Sequence, residues 1–128
     1  MYKSSWYNSL LKPPFAPPDW LFAPAWIFLY ITIFIALIFY ILKSAPNKKS
    51  GYIYFAIQLI LNFAWSPIFF GMQNMLLGLI TVIFMIIFTI LTVREFYKIS
   101  KISALLLIPY LLWIIFAAYL NLGYLVLN

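Results

Sequence analysis

Cysteine and histidine are both absent from this 128-residue chain, and charge is scarce: 8% of residues are charged and only two, Asp19 and Glu95, are acidic. Without cysteine there is no disulfide, no thiolate nucleophile and no sulfur-ligated metal. Without histidine the chain lacks the commonest metal ligand and the commonest general base near neutral pH. Two carboxylates so far apart in sequence build neither a metal cage nor a glycosidase-type acid pair. No metal site and no resident cofactor is therefore expected, and conventional acid–base hydrolysis has few residues to work with. The shortage of charge also excludes an ordinary soluble domain, which carries about a quarter charged residues to face water.

What fills the chain instead is apolar: 67% of residues are hydrophobic and 22% aromatic. Four apolar stretches, at about 20–42, 52–70, 75–93 and 102–127, stand out. Each is close to or above the roughly 20 residues that a helix rising about 1.5 Å per residue needs to cross a bilayer core. None shows the alternation of a transmembrane barrel strand, and each is about twice that length. The expected fold is all-α: one integral membrane domain, a bundle of four transmembrane helices, with the lipid bilayer as its principal partner.

The first 19 residues differ. Pro13–Pro14 and Pro17–Pro18 exclude a regular helix there, so 1–19 reads as a proline-rich extramembrane loop. Asp19 is placed to cap the first span, with Pro24 tolerated near its start. The amino terminus has no continuous apolar core, and no cleavable signal peptide is expected.

The net charge of +6 is better explained by membrane topology than by nucleic acid, because the basic residues sit between apolar stretches. Lys43, Lys48 and Lys49 flank the first connector, and Arg94, Lys98 and Lys101 flank the third. The second connector, 71–74, has none. Connectors 43–51 and 94–101 are thus expected in the cytoplasm, with the amino-terminal loop, Lys3, Lys12 and the carboxyl terminus opposite. Glu95 reads as a solvated partner of Lys98.

Polar residues within the spans are few. Gln58, Asn62, Trp65 and Ser66 fall at i, i+4, i+7 and i+8, one helical face that should turn inward from lipid. Tyr110, Trp113, Ala117 and Asn121 form a second stripe, and Trp26 and Tyr30 lie one turn apart in the first span. Trp6, Trp20 and Trp65 suit the headgroup belt; Trp113 lies too deep for it, and its indole N–H wants a partner. These faces serve two readings: polar glue between helices, or the wall of a pocket for a flat apolar ligand carrying a few polar atoms. Pro67 and Pro109 predict kinks, which open space in a bundle core.

The pattern Trp6-Tyr7-x-x-Leu10-x-Lys12-Pro13, Pro17-Pro18 and Phe22-x-Pro24-x-Trp26-x-x-Leu29-Tyr30 resembles the loop and second helix of the TspO/translocator protein family, also called the peripheral benzodiazepine receptor or tryptophan-rich sensory protein family. The resemblance continues through Gln58-Leu59-x-Leu61-Asn62-x-x-Trp65-Ser66-Pro67-Ile68-Phe69-Phe70-Gly71. It closes with Pro109-Tyr110-x-x-Trp113-x-x-Phe116-Ala117-x-x-Leu120-Asn121 and Leu127-Asn128. Family members look like five-helix bundles. The family's first helix precedes the Trp6-Tyr7 loop, whereas here Met1 stands five residues before Trp6, so four helices are expected.

The resemblance implies a membrane receptor or sensor that binds tetrapyrroles such as protoporphyrin and haem, and synthetic benzodiazepine-type ligands. The alternatives it implies are light-dependent porphyrin breakdown, which would involve Trp26 and Trp113, and passive tetrapyrrole transport. Trp26 and Trp113 match the family's cavity tryptophans. Asn62, Trp65 and Ser66 match its third-helix wall. Trp6 and Lys12 match a lid-like loop in which Lys12 would meet a porphyrin carboxylate. Tyr30, Tyr110, Ala117 and Asn121 complete the expected ligand-binding set. Sterol recognition is not carried over, because no basic residue follows Lys101. A homodimer is compatible with the family, but Ile53 and Ile57 stand where its glycine-spaced contact would need small residues. With neither His nor Cys, tight haem ligation would fall to Tyr, Met or water, so metal-free porphyrin is an equal candidate. No carboxylate lies within the spans, which argues against proton-coupled export.

Overall fold

The computed structural model describes residues 21–127. Four helices run through them: α1 (Phe22–Leu42), α2 (Lys49–Ser66), α3 (Met75–Ile99) and α4 (Lys101–Leu127), with a π-helical turn, Pro67–Gly71, closing α2. All four are long and apolar enough to cross a membrane, and no more than 33% of any span is buried within the bundle. The remaining surface carries Phe28, Phe34, Phe39, Ile60, Phe63, Phe84 and Leu105, all exposed. Such a surface is stable only against lipid. The chain is a multi-pass integral membrane protein.

The buried positions explain how the helices find one another. Leu29, Ile33, Ala36 and Tyr40 on α1, and Gly51, Phe55, Gln58 and Asn62 on α2, recur at steps of three and four. On α4 the same steps run from Ser103 through Leu107, Tyr110 and Ile114 to Asn121 and Tyr124. This period keeps one seam of each helix facing its neighbour. The buried seam of α3 includes Gly78, Thr81, Thr89 and Thr92, small residues that let backbones approach closely. Accordingly α3 packs along both α2 and α4, and α4 packs also along α1, giving the order α1–α4–α3–α2.

α1 reaches α2 through side chains near both ends of the seam. At one end Tyr40 stacks on Phe96 of α3 (4.0 Å between ring centroids) and meets Tyr52 edge-on at 5.1 Å. Its hydroxyl donates to the Lys48 carbonyl at 2.9 Å. Lys48 Nζ in turn donates to the Ile41 and Lys43 carbonyls, closing the carboxyl end of α1. This stack brings the first and third connectors to the same end of the bundle. At the opposite end Asn74 caps α3, its side chain accepting from the Leu77 N–H at 2.9 Å.

The helix limits depart from the expected ones most clearly in two places. α2 begins at Lys49, so the first connector, expected to reach residue 51, is shorter. α3 runs on to Ile99 instead of ending near residue 93, which leaves Ser100 as the break before α4. Charge at Arg94, Glu95 and Lys98 read as a connector, but these are good helix formers. Glu95 pairs with Lys98 at 2.8 Å, and Phe96 is buried in the core. Glu95 is less solvated than expected: its side chain is only 15% exposed. The two prolines behave differently. Pro67 opens the π-helical turn, where the Met72 N–H reaches the Pro67 carbonyl at 2.9 Å. Pro109 sits inside α4, which continues as helix on either side of it.

Candidate ligand-binding face

Five of the expected residues converge from three helices. The Tyr30 hydroxyl of α1 donates to Asn62 Oδ1 of α2 at 2.5 Å, and Asn62 Nδ2 donates to the Tyr110 hydroxyl of α4 at 2.8 Å. Asn62 and Tyr110 are buried, while Tyr30 is only partly so. Trp26, one turn before Tyr30, lies 5.7 Å from its ring and meets Trp113 of α4 edge-on at 6.2 Å. Tyr30 also stacks on Phe63 at 5.9 Å. The result is an aromatic face, half-buried at Trp26, Tyr30 and Trp113, backed by a hydrogen-bonded polar chain that reads inward.

Trp113 occupies this position because of helical phase. Tyr110, Ile114 and Asn121 lie on the buried seam of α4, whereas a residue three beyond Tyr110 is rotated to its flank. That flank faces α1. There an open apolar groove of about 340 Å³ runs between the two helices, lined by Ala25, Phe28 and Leu29 of α1 and Pro109, Leu112, Trp113 and Phe116 of α4. Ligand sites commonly span about 300–1,000 Å³, so the groove falls at the small end of that range. It opens toward the lipid-facing side, since Phe28 and Leu112 are exposed.

The rest of the expected set has other work. Trp65 Nε1 donates to Asn121 Oδ1 at 3.1 Å, and Asn121 Nδ2 donates to the Met75 carbonyl at 2.7 Å. Trp65 stacks on buried Phe69 at 5.1 Å. These contacts tie α2, α3 and α4 together beside a second core cluster of Phe69, Leu120 and Tyr124. Trp65 and Asn121 thus clamp α2, α3 and α4 together at this end of the bundle. Ala117 packs against the main core, and Ser66 ends α2 at the π-helical turn. Trp6 and Lys12, like Asp19 and the 1–19 loop, lie outside the described residues. Among the described residues no group of acidic side chains could hold a metal ion.

Sequence reasoning missed Phe28, Leu112 and Phe116 as groove walls, since an apolar residue in an apolar span carries no mark of its partner. It also passed over Thr89, which is buried on α3 against the Tyr110 hydroxyl. The signal was there: Thr81, Thr89 and Thr92 set hydroxyls on one seam of α3.

Comparison with known proteins places the chain in a family. The sequence model of the TspO/MBR family matches residues 1–127. The chain belongs to the TspO/MBR family. The tryptophan-rich protein TspO of Chlorobaculum tepidum is 46% identical over 129 residues, covering 98% of this chain and 81% of that protein. The protein of the same name from Archaeoglobus fulgidus is 47% identical, covering 97% of this chain and 80% of its own. The similarity extends to animals: the Bos taurus translocator protein is 35% identical over 91% of this chain and 70% of its own length. TspO/MBR membership and the apolar helices agree on a membrane helical bundle.

Proposed function

We propose that this TspO/MBR protein is a membrane receptor or sensor for tetrapyrroles, with protoporphyrin and haem as the ligand class, taken up at the Trp26–Trp113 face. The observation that supports this reading is the meeting of two indoles at 6.2 Å beside the Tyr30–Asn62–Tyr110 chain. Indole faces stack on a flat macrocycle, apolar burial supplies most of the affinity, and a hydroxyl at Tyr30 orients a polar edge. Lys12 is the candidate for a propionate. In this reading connectors 43–51 and 94–101 face the cytoplasm and the Trp65–Asn121 end faces away from it.

Titration of the purified protein with protoporphyrin, followed by tryptophan fluorescence, tests it. Saturable quenching in the wild type, shifted to at least tenfold higher porphyrin in Trp26→Phe and Trp113→Phe, is the expected result. Equal, non-saturating quenching in all three proteins would sink the pocket. The adjacency of Trp26 and Trp113 also favours a second reading, light-dependent porphyrin breakdown. Illumination of the loaded protein would then bleach the Soret band in the wild type and spare it in Trp113→Phe.

A further inference from the structure

Every charged side chain among the described residues lies toward one end of the bundle: Lys43, Lys48, Lys49, Arg94, Lys98 and Lys101 against a single carboxylate, Glu95. Two of these cations are engaged within the chain. Lys48 Nζ donates to the Ile41 and Lys43 carbonyls, and Lys98 pairs with Glu95 at 2.8 Å. Arg94 stands differently. Its nearest carboxylate contact, from Nε to Glu95, is 3.8 Å, longer than a hydrogen bond, and its side chain is 59% exposed.

Helical phase orders what surrounds Arg94. Phe84, Ile87, Ile90, Arg94 and Lys98 follow one another on α3 at steps of three and four, and all are exposed. They form one outward stripe, apolar along its length and cationic at its connector end. From residue 84 to residue 94 the helix rises about 15 Å, half of the roughly 30 Å hydrocarbon core. The apolar part thus matches the acyl depth of one leaflet, and the cations fall where its headgroups begin. Tyr97, exposed beside them, suits that depth, and Lys101 Nζ lies 5.8 Å from its ring. Arg94, Lys98 and Lys101 against Glu95 alone leave this patch at +2. α4 starts at Lys101 with no acidic residue in its first turn, so the positive end of its dipole adds to the same field.

We propose that Arg94, Lys98 and Lys101 form a binding site for an anionic phospholipid of the surrounding bilayer, its phosphate on the cations and its acyl chains along Ile90, Ile87 and Phe84. The Arg94 guanidinium offers a planar fork to phosphate oxygens, and Lys98 keeps two N–H donors beyond the one given to Glu95. The positive balance selects a headgroup of net negative charge over a zwitterionic one, whose own cation the patch repels. Membrane topology asks only that cations gather on one side. It does not ask that they cap an exposed apolar stripe one leaflet deep. The site shares no residue with the α1–α4 groove and stands whatever ligand the Trp26–Trp113 face takes.

The test uses the full chain in nanodiscs holding equal amounts of phosphatidylcholine and phosphatidylglycerol, released into mild detergent, with the retained lipid identified by native mass spectrometry. The wild type is expected to retain phosphatidylglycerol in preference. Arg94→Gln combined with Lys101→Gln should lower that preference by about fivefold for each cation removed. This pair of substitutions leaves the Glu95–Lys98 bridge in place. Lys43→Gln combined with Lys49→Gln removes the same charge from the first connector and should leave the preference unchanged. No preference in the wild type overturns the site, and so does an equal loss in both double variants, which would mean diffuse attraction between charged surfaces. Inorganic phosphate completes the test. It should displace phosphatidylglycerol no better than sodium chloride of equal ionic strength; better displacement by phosphate would show that the cations take a free anion and would overturn the lipid assignment.

Discussion

Asn62 joins three helices through one side chain. Its carbonyl accepts from Tyr30 and its amide donates to Tyr110, at 5% exposure. Replacing it with leucine removes both bonds and strands two hydroxyls. Interhelical bonds in membranes average about 0.6 kcal/mol and reach about 1.7. Asn62→Leu is therefore expected to destabilise the bundle by about 1–2 kcal/mol, seen as a lowered midpoint in detergent melting. The Trp65–Asn121 clamp allows a sharper check. A double-mutant cycle with Trp65→Phe and Asn121→Leu should return a coupling of about 0.5–1.5 kcal/mol. A coupling of zero would mean that the 3.1 Å contact contributes no energy.

Glycine decides matters at the scale of elements. A Cβ on Gly51 would collide with the Tyr40 hydroxyl and stand 2.7 Å from Cζ of the same ring. That hydroxyl is held by the Lys48 carbonyl and the ring by Phe96, so neither moves without loss. Gly51→Ala should loosen the α1–α2–α3 junction and lower the melting midpoint, and Tyr40→Phe in the same background should recover part of the loss. Gln73, in the second connector, holds φ at 53°, a left-handed conformation that glycine adopts without strain. Gln73→Gly is expected to stabilise by about 1 kcal/mol, in line with the usual cost of that region. Asn74→Ala next to it should cost about 0.5–2 kcal/mol through loss of the α3 cap. Opposite signs at adjacent positions make the pair a self-controlled measurement.

At the scale of the molecule, the Tyr40–Phe96 stack gathers the first and third connectors at one end, and with them Lys43, Lys48, Lys49, Arg94, Lys98 and Lys101. The chain has no cysteine, so single introduced thiols report topology cleanly. Ser44→Cys and Ser100→Cys should be protected from a membrane-impermeant maleimide applied outside cells, and Gln73→Cys should be labelled. The reverse pattern would invert the proposed orientation. Labelling of all three from one side would contradict the four crossings.

Membrane insertion, the number of spans and the inward polar faces were legible in the chain because each rests on local quantities: apolar length, scarcity of charge and helical spacing. The face Gln58–Asn62–Trp65 was visible for the same reason. Its division of labour was not. Asn62 backs the Trp26–Trp113 face while Trp65 clamps α4, although the two residues lie less than a turn apart. That split depends on which neighbouring helix each side chain meets, a long-range fact that spacing along one helix does not encode. The end of α3 was misjudged because charge marks polarity and not helix termination; Phe96 and the Glu95–Lys98 pair carry the helix to Ile99. The amino-acid sequence thus determined the solvent this protein lives in and the helices that cross it. Only tertiary structure decided which polar groups pair and which tryptophans meet at the α1–α4 groove, because those outcomes depend on the order and rotation of packed helices.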